Sequence, residues 1–395
     1  MTDTAPDSRG SHRPLYLRPN LLIIYSVTLM AIMGVSSITP AFPEMMRDLG
    51  ISPHEVGLLI TLFTLPGVFL TPVLGVMADQ WGRRRILVPA LLLFGVAGFL
   101  CTFARDFHLL LILRFVQGIG GASLGSLNVT IIGDLYSGRE RATAMGYNAS
   151  VLSIGTASYP VIGGALAILG WNFPFVLPIL ALPVALLVIT GLKNPEPRRD
   201  QSLREYLSLA WRSISNGQVL VLFATSVTAF IMLYGSYLNY FPILVGNHFG
   251  QSALIIGLLM SSMSFTTALV SSQMGKLTRR FGSRRLLIVA FGFYAAGLFL
   301  MPLMPHAWML LLPTILYGVG QALNVPNVQT LLADAAPMAQ RGVVMSFNGM
   351  VLRLGQTLGP VVIGVVFTLR GLGATFVAGG VIAVLMVGVV AAWLK

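Results

Sequence analysis

Two arginines sit inside long apolar runs of this 395-residue chain, Arg114 and Arg353. A guanidinium keeps its charge at physiological pH, and placing one at a bilayer centre costs on the order of 2.5–3.5 kcal/mol, so each needs a partner or a wet cavity. Gln117 follows Arg114 by three residues and Gln356 follows Arg353 by three, which puts each amide on the same helical face as its arginine. Gln321, Asn324 and Asn327 repeat the pattern at i, i+3, i+6. Asn128, Asn148 and Asn348 lie in other apolar runs, and Tyr234, Tyr237, Asn239 and Tyr240 crowd into one. Such groups hold a solute by hydrogen bonds, or tie helices together at about 0.6–2 kcal/mol each. Covalent chemistry lacks its parts. An enzyme needs a nucleophile–base pair or a metal cluster, and there is no His/Cys/carboxylate grouping of ligand spacing, no G-x-S-x-G and no P-loop. Neither an enzyme nor a bound metal or cofactor is expected. The expected occupant is a small molecule: amphipathic or aromatic from the supply of Tyr, Phe and Met, or anionic from the two arginines.

The elements that position these residues follow from composition. The chain is 55% hydrophobic and 10% charged, with mean hydropathy +0.82, against about 25% charged in soluble domains. Its solvent is lipid. A helix needs roughly 20 apolar residues to cross a bilayer, and twelve such stretches occur. They lie near 21–42, 55–78, 86–104, 108–133, 142–169 and 172–192, then near 219–245, 255–275, 286–304, 308–333, 342–368 and 373–394. Ten-residue alternation, the mark of a barrel, is missing. The expectation is an all-α membrane protein with a tail over 1–20, a six-helix bundle over 21–192, a polar linker over 193–218 and a second bundle over 219–394. The polar start and the eleven spans that follow the first argue against a cleaved signal peptide. The single cysteine, Cys101, lies in an apolar run as filler.

Basic residues set the orientation. With the N-terminus in the cytoplasm, 20 of the 25 cations fall on that side and only Arg47, Arg105 and Arg370 on the other. This positive-inside bias places both termini in the cytoplasm, and with the short loops it points to a bacterial inner membrane. It also accounts for the net charge of +12 without nucleic acid. Arg353 falls about eleven residues into its span, roughly 17 Å deep at 1.5 Å per residue. The acidic residues stay at span ends: Glu44 and Asp48 outside, Asp79 and Asp134 at the inner rim. The five histidines also stay at ends or in loops, so a proton relay has few candidates.

The halves repeat at an offset of 200. Gly75, Gly82, Arg84 and Arg85 match Gly275, Gly282, Arg284 and Arg285, while Asp134, Arg141, Asn148, Gly155, Pro160 and Gly164 match Asp334, Arg341, Asn348, Gly355, Pro360 and Gly364. Phe42-Pro43 and Phe241-Pro242 agree after a one-residue shift. Six spans per copy give parallel repeats related by an axis along the membrane normal, with a cavity between them.

Residues 75–85, GVMADQWGRRR, resemble the loop signature of the major facilitator superfamily, and 275–285, GKLTRRFGSRR, look like its degraded copy. Residues 113–122, LRFVQGIGGA, are similar to that superfamily's fourth-span motif, and 155–164, GTASYPVIGG, to the fifth-span signature of its drug antiporters. Gln80 departs from the usual arginine and Tyr159 from the usual glycine. The resemblance implies two bundles rocking about a midplane site in a monomer, and drug or metabolite efflux by proton antiport. It implies that Asp79 docks near the start of span eleven, with Arg83 and Asp134 joining and Gly75, Gly82, Gly275 and Gly282 allowing close approach. This latch holds one conformation and breaks in the other. Asp79 and Asp134 with Arg114 are the expected proton-coupling residues. Arg353, Gln356, Gln321, Asn324, Asn148, Asn348, Tyr237 and Gln117 are the expected substrate contacts. Gly155, Pro160, Gly163, Gly164, Gly355, Gly359 and Pro360 are the expected packing positions. An organic-anion carrier using Arg353 and Arg114 is the alternative, ahead of a passive channel.

Overall fold

The computed structural model describes residues 14–194, 217–335 and 341–394, without the side chains of 341–343 and 346. Most of the expected tail and linker lies outside these residues. Twelve apolar helical spans are present. The first six are α1 (Pro19–Leu49), α2 (Pro53–Trp81), α3 (Arg83–Phe103), α4 (Phe107–Leu135), α5 (Gly138–Ala167) and α6 (Phe173–Gly191). The second six are α7 (Gly217–His248), α8 (Ala253–Ser271), α9 (Ser283–Leu303), α10 (Ala307–Ala335), α11 (Arg341–Arg370) and α12 (Leu372–Trp393). They form two pseudo-symmetric six-helix bundles. Helices prevail because hydrocarbon offers no partner to a backbone N–H or C=O outside the segment itself.

Local sequence sets the ends. Ser52 and Glu55 close a reciprocal capping box on α2, and Asp106 accepts from the Leu109 amide to cap α4 at 2.8 Å. Gly82 and Gly282 turn the chain sharply before α3 and α9 at φ 105° and 77°, angles that a side chain disfavours. Arg84 donates to the Ile189 carbonyl near the end of α6, and Arg284 donates to that of Ala391 near the end of α12 at 2.6 Å. Both bundles thus place a cation on a helix C-terminus.

Helix α7 departs from regular geometry. It runs as π-helix over Met232–Tyr240 and again over Leu244–His248. The offset between the halves drifts in step: 198 at Thr28 and Ser226, 199 at Phe42 and Phe241, 200 at Gly57 and Gly257. Each π segment absorbs one residue that the first copy lacks, which is how π-bulges arise. The one-residue shift at Phe241 is the trace of this in the sequence.

The bundles meet at the end away from Arg83–Arg85, here the far end. There the carbonyl of Ala253 on α8 fills the space beside Gly164 on α5, and that of Pro160 on α5 fills the space beside Gly257 on α8. Ser261 donates to the Ala157 carbonyl. On the opposite seam Thr61 of α2 donates to the Thr357 carbonyl of α11 at 3.2 Å, and Thr64 meets the Thr357 hydroxyl at 2.9 Å. At the basic end the bundles part. Among the described residues a side chain at Gly75, Gly146, Gly275 or Gly349 would meet nothing within 4 Å. The cavity between the bundles therefore opens on the arginine-rich end and closes at the other.

Candidate functional site

The roof of the cavity is built by α11 against α2 and α4. Arg353 reaches out of the second bundle: one guanidinium nitrogen donates to Gln356 Oε1 at 3.1 Å and another to the Gly121 carbonyl of α4 at 3.3 Å. Its stem lies over Gly67 of α2, where a Cβ would sit 3.1 Å from Cδ. Among the described residues no carboxylate forms an ion pair with Arg353. Beside it on α7, Tyr234 stacks on Phe230 at 5.8 Å between centroids. The roof thus offers one cation without a counter-ion, an amide and an aromatic pair, all part-way along their helices.

Arg114 occupies different ground. It is 0% exposed, donates to the carbonyls of Gly34 on α1 and Leu59 on α2 at 2.8 and 3.1 Å, and donates to Gln117 at 2.6 Å. Its guanidinium lies 4.3 Å from the Phe63 ring centroid. The Gly34 carbonyl stands at a break in α1, because the Ile38 amide turns instead to Val35. Arg114 and Gln117 therefore fasten three helices and do not face the cavity. Arg114 is also separated from Asp134 by twenty positions of α4, roughly 30 Å at 1.5 Å per residue. The structure does not bring the three expected coupling residues together.

It does join two of them through a third residue. At the basic end Arg83, 4% exposed, pairs with Asp79 one turn earlier and with Asp134 of α4 at 3.0 Å. In the second copy Arg279 and Ser283 stand where Asp79 and Arg83 stand in the first, so among the described residues only the first bundle holds the charge cluster. Asp79 turns toward Arg83, and the Gly75 side of α2 is free of α11 among the described residues.

The remaining expected contacts divide. Asn148 accepts from the Thr28 hydroxyl at 2.6 Å, and Thr28 accepts from Asn128 at 2.7 Å. Asn348 accepts from Ser226 at 2.9 Å, the duplicated form of the same bond. Gln321 accepts from the Tyr294 hydroxyl at 2.5 Å, and Asn324 donates to it at 3.4 Å. Tyr237 is 0% exposed, stacked between Tyr317 and Phe241, away from the cavity surface. The packing positions act at helix contacts: Gly163 against the Ser37 carbonyl, Gly355 against Val227 and Phe230, and Gly359 against Gly235. Pro360 lies beside Gly57, and Gly155 beside Leu29 and Ile32. Sequence reasoning missed the Thr61–Thr64–Thr357 seam, because a threonine in an apolar helix usually bonds its own i−4 carbonyl. No spacing singled these out.

The sequence profile of the Major Facilitator Superfamily matches residues 24–250 and 232–395. Over 349 residues the chain is 26% identical to Multidrug resistance protein 1 of Bacillus subtilis (strain 168), covering 88% of this chain and 89% of that protein. It is 26% identical over 231 residues to Quinolone resistance protein NorA of Staphylococcus aureus (strain MRSA252), covering 57% of this chain and 60% of that protein. The crystal structure of the nucleoside transporter NupG superposes with a TM-score of 0.78 at 15% identity, over 95% of this chain and 99% of that one. With a profile match across both bundles, the chain belongs to the major facilitator superfamily of membrane transporters.

Proposed function

We propose that the protein exports an amphipathic drug or metabolite from the cytoplasm, in exchange for protons, by alternating access of a single midplane site. The observation that carries this reading is the seam. Among the described residues the bundles touch at far-end contacts such as Pro43 against Gly246 and His54 against Gly364, at the threonine seam and through the Arg353–Gly121 bond, an arrangement that can part there and close at the basic end. The positive-inside bias makes the open end cytoplasmic, and the match to a multidrug resistance protein over nearly the whole chain supports efflux. Phe230 and Tyr234 beside Arg353 supply an aromatic wall for a flat substrate. A second reading rests on Arg353 having no counter-ion: an organic carboxylate or phosphate would serve as one. Proteoliposomes loaded separately with ethidium and with 2-naphthoate test both. Arg353→Ala is expected to cut ethidium export at least tenfold, because the far-end closure loses its cross-bundle bond. Loss of naphthoate flux with ethidium flux intact would instead establish the anion carrier.

The Asp79–Arg83–Asp134 cluster is the proposed latch and proton-coupling element. Here, with the basic end open, Asp79 is held by Arg83. When the bundles close at that end, Asp79 swings to the start of α11, where an anion favours a helix N-terminus. Asp79→Asn, placed in a Cys101→Ser background with Gly349→Cys as reporter, should keep the basic end open for longer. Labelling of Cys at 349 by a membrane-impermeant maleimide is expected to quicken at least threefold. Unchanged labelling would remove Asp79 from the latch.

A further inference from the structure

We infer that the second bundle carries a recognition slot for a planar, uncharged carboxamide or lactam group, set between α7, α10 and α11. The inference rests on the exporter reading and names one feature of its substrate. The slot is lined by Ser226, Phe230, Asn324, Val328, Gln329 and Asn348, among others, and none of its lining residues is ionisable. Asn324 is 2% exposed. It spends its Nδ2 on the Tyr294 hydroxyl, and its buried Oδ1 has no partner. Asn348 is 3% exposed and accepts from Ser226 through Oδ1, which leaves its amide hydrogens as donors. An acceptor on α10 and a donor on α11 thus border one narrow space walled by Val325, Val328 and Leu352, with Gln329 the other amide on its lining. A carboxamide presents the complementary pair, N–H to Asn324 and C=O to Asn348. A charged group is disfavoured, because nothing in the lining neutralises it.

The first bundle shows what fills this place when no ligand is needed. Asn128 corresponds to Val328, Asn148 to Asn348, and Thr28 stands where Ser226 does. There the Asn128 amide itself donates to Thr28, which donates on to Asn148. Buried Leu124 stands where Asn324 does. Each copy keeps one buried amide oxygen without a partner, Asn128 Oδ1 in the first and Asn324 Oδ1 in the second; what differs is that the first copy is plugged by its own side chain, whereas the second lacks the plug and its oxygen borders open space.

Equilibrium binding to the full-length protein in lipid nanodiscs tests this with three probes of one shape: 2-naphthamide, 2-acetonaphthone and 2-methylnaphthalene. The wild type should bind the amide about tenfold tighter than the hydrocarbon, with the ketone between, since a buried acceptor left unpaired is what the weaker probes incur. Val328→Asn, which installs the first bundle's plug, should bring the three within twofold of one another. Asn324→Leu, copying Leu124, should do the same through an apolar change that the first bundle already tolerates. Asn128→Val should leave the preference in place. Equal binding of all three probes to the wild type, or a preference that survives both Val328→Asn and Asn324→Leu, overturns the slot. The exporter reading fails separately: absence of ethidium flux with the amide preference intact would leave the slot standing and remove only the transport direction and cargo.

Discussion

Replacing Arg114 with leucine is expected to lower the melting temperature of the purified transporter by about 5–10 °C, a larger loss than any other single substitution at a polar position of the first bundle should give. Two of the three groups that the guanidinium satisfies are carbonyls on different helices, Gly34 on α1 and Leu59 on α2. An orphaned buried polar group costs about 1–3 kcal/mol, and each kcal/mol moves the midpoint by about 2–4 °C at this scale of domain. Gly34 matters most, because the chain breaks from α-helix just beyond it and the Ile38 amide is committed to Val35. Arg114→Lys should recover only part of the loss: an ammonium cannot reproduce a planar fork that spans two helices and lies on the Phe63 ring. A lysine variant that melts like the wild type but no longer couples flux to a pH gradient would make Arg114 a coupling residue instead.

Arg114 also marks where the sequence runs out. A cation in an apolar run announces that something must receive it, and that inference held for both arginines. Whether the receiver is a ligand or a neighbouring carbonyl depends on packing between helices more than fifty residues apart, which no local pattern encodes. Arg114 sits where three helices of one bundle converge, whereas Arg353 sits where two bundles meet, and their sequence contexts look alike. The twelve spans were legible because the bilayer imposes length and apolarity on each of them. The duplication was legible because Gly, Pro and Asp positions are costly to change. The π-helical stretches of α7 left only a one-residue slip at Phe241. The plugged and open amide networks left only Asn128 against Val328, a difference that means something once Thr28 and Ser226 are seen to hold equivalent bonds.

Gly257→Leu should abolish transport by at least a hundredfold while leaving the protein folded. The atoms that a Cβ at Gly257 would strike belong to the other bundle, the Pro160 carbonyl and the Val161 backbone, so neither six-helix unit is disturbed internally. Backbone cannot rotate out of the way as a side chain would, and the far end is held apart. Shifting a two-state equilibrium from one end to the other takes about 5.5 kcal/mol, and a whole isobutyl group wedged against backbone between α5 and α8 is expected to supply it. Gly164→Leu should behave alike, because its obstacle is the Ala253 carbonyl across the same seam. The opposite trap follows from the open end. Among the described residues Gly75 and Gly349 meet nothing within 4 Å, so Gly75→Leu should leave this conformation, its stability and its substrate binding intact, and stop transport only by blocking closure at the basic end. Maleimide labelling of single cysteines at the two ends should then run in opposite directions: far-end sites quicken in Gly257→Leu, basic-end sites in Gly75→Leu. If both variants carry substrate at the wild-type rate, the two bundles do not exchange one closed end for the other.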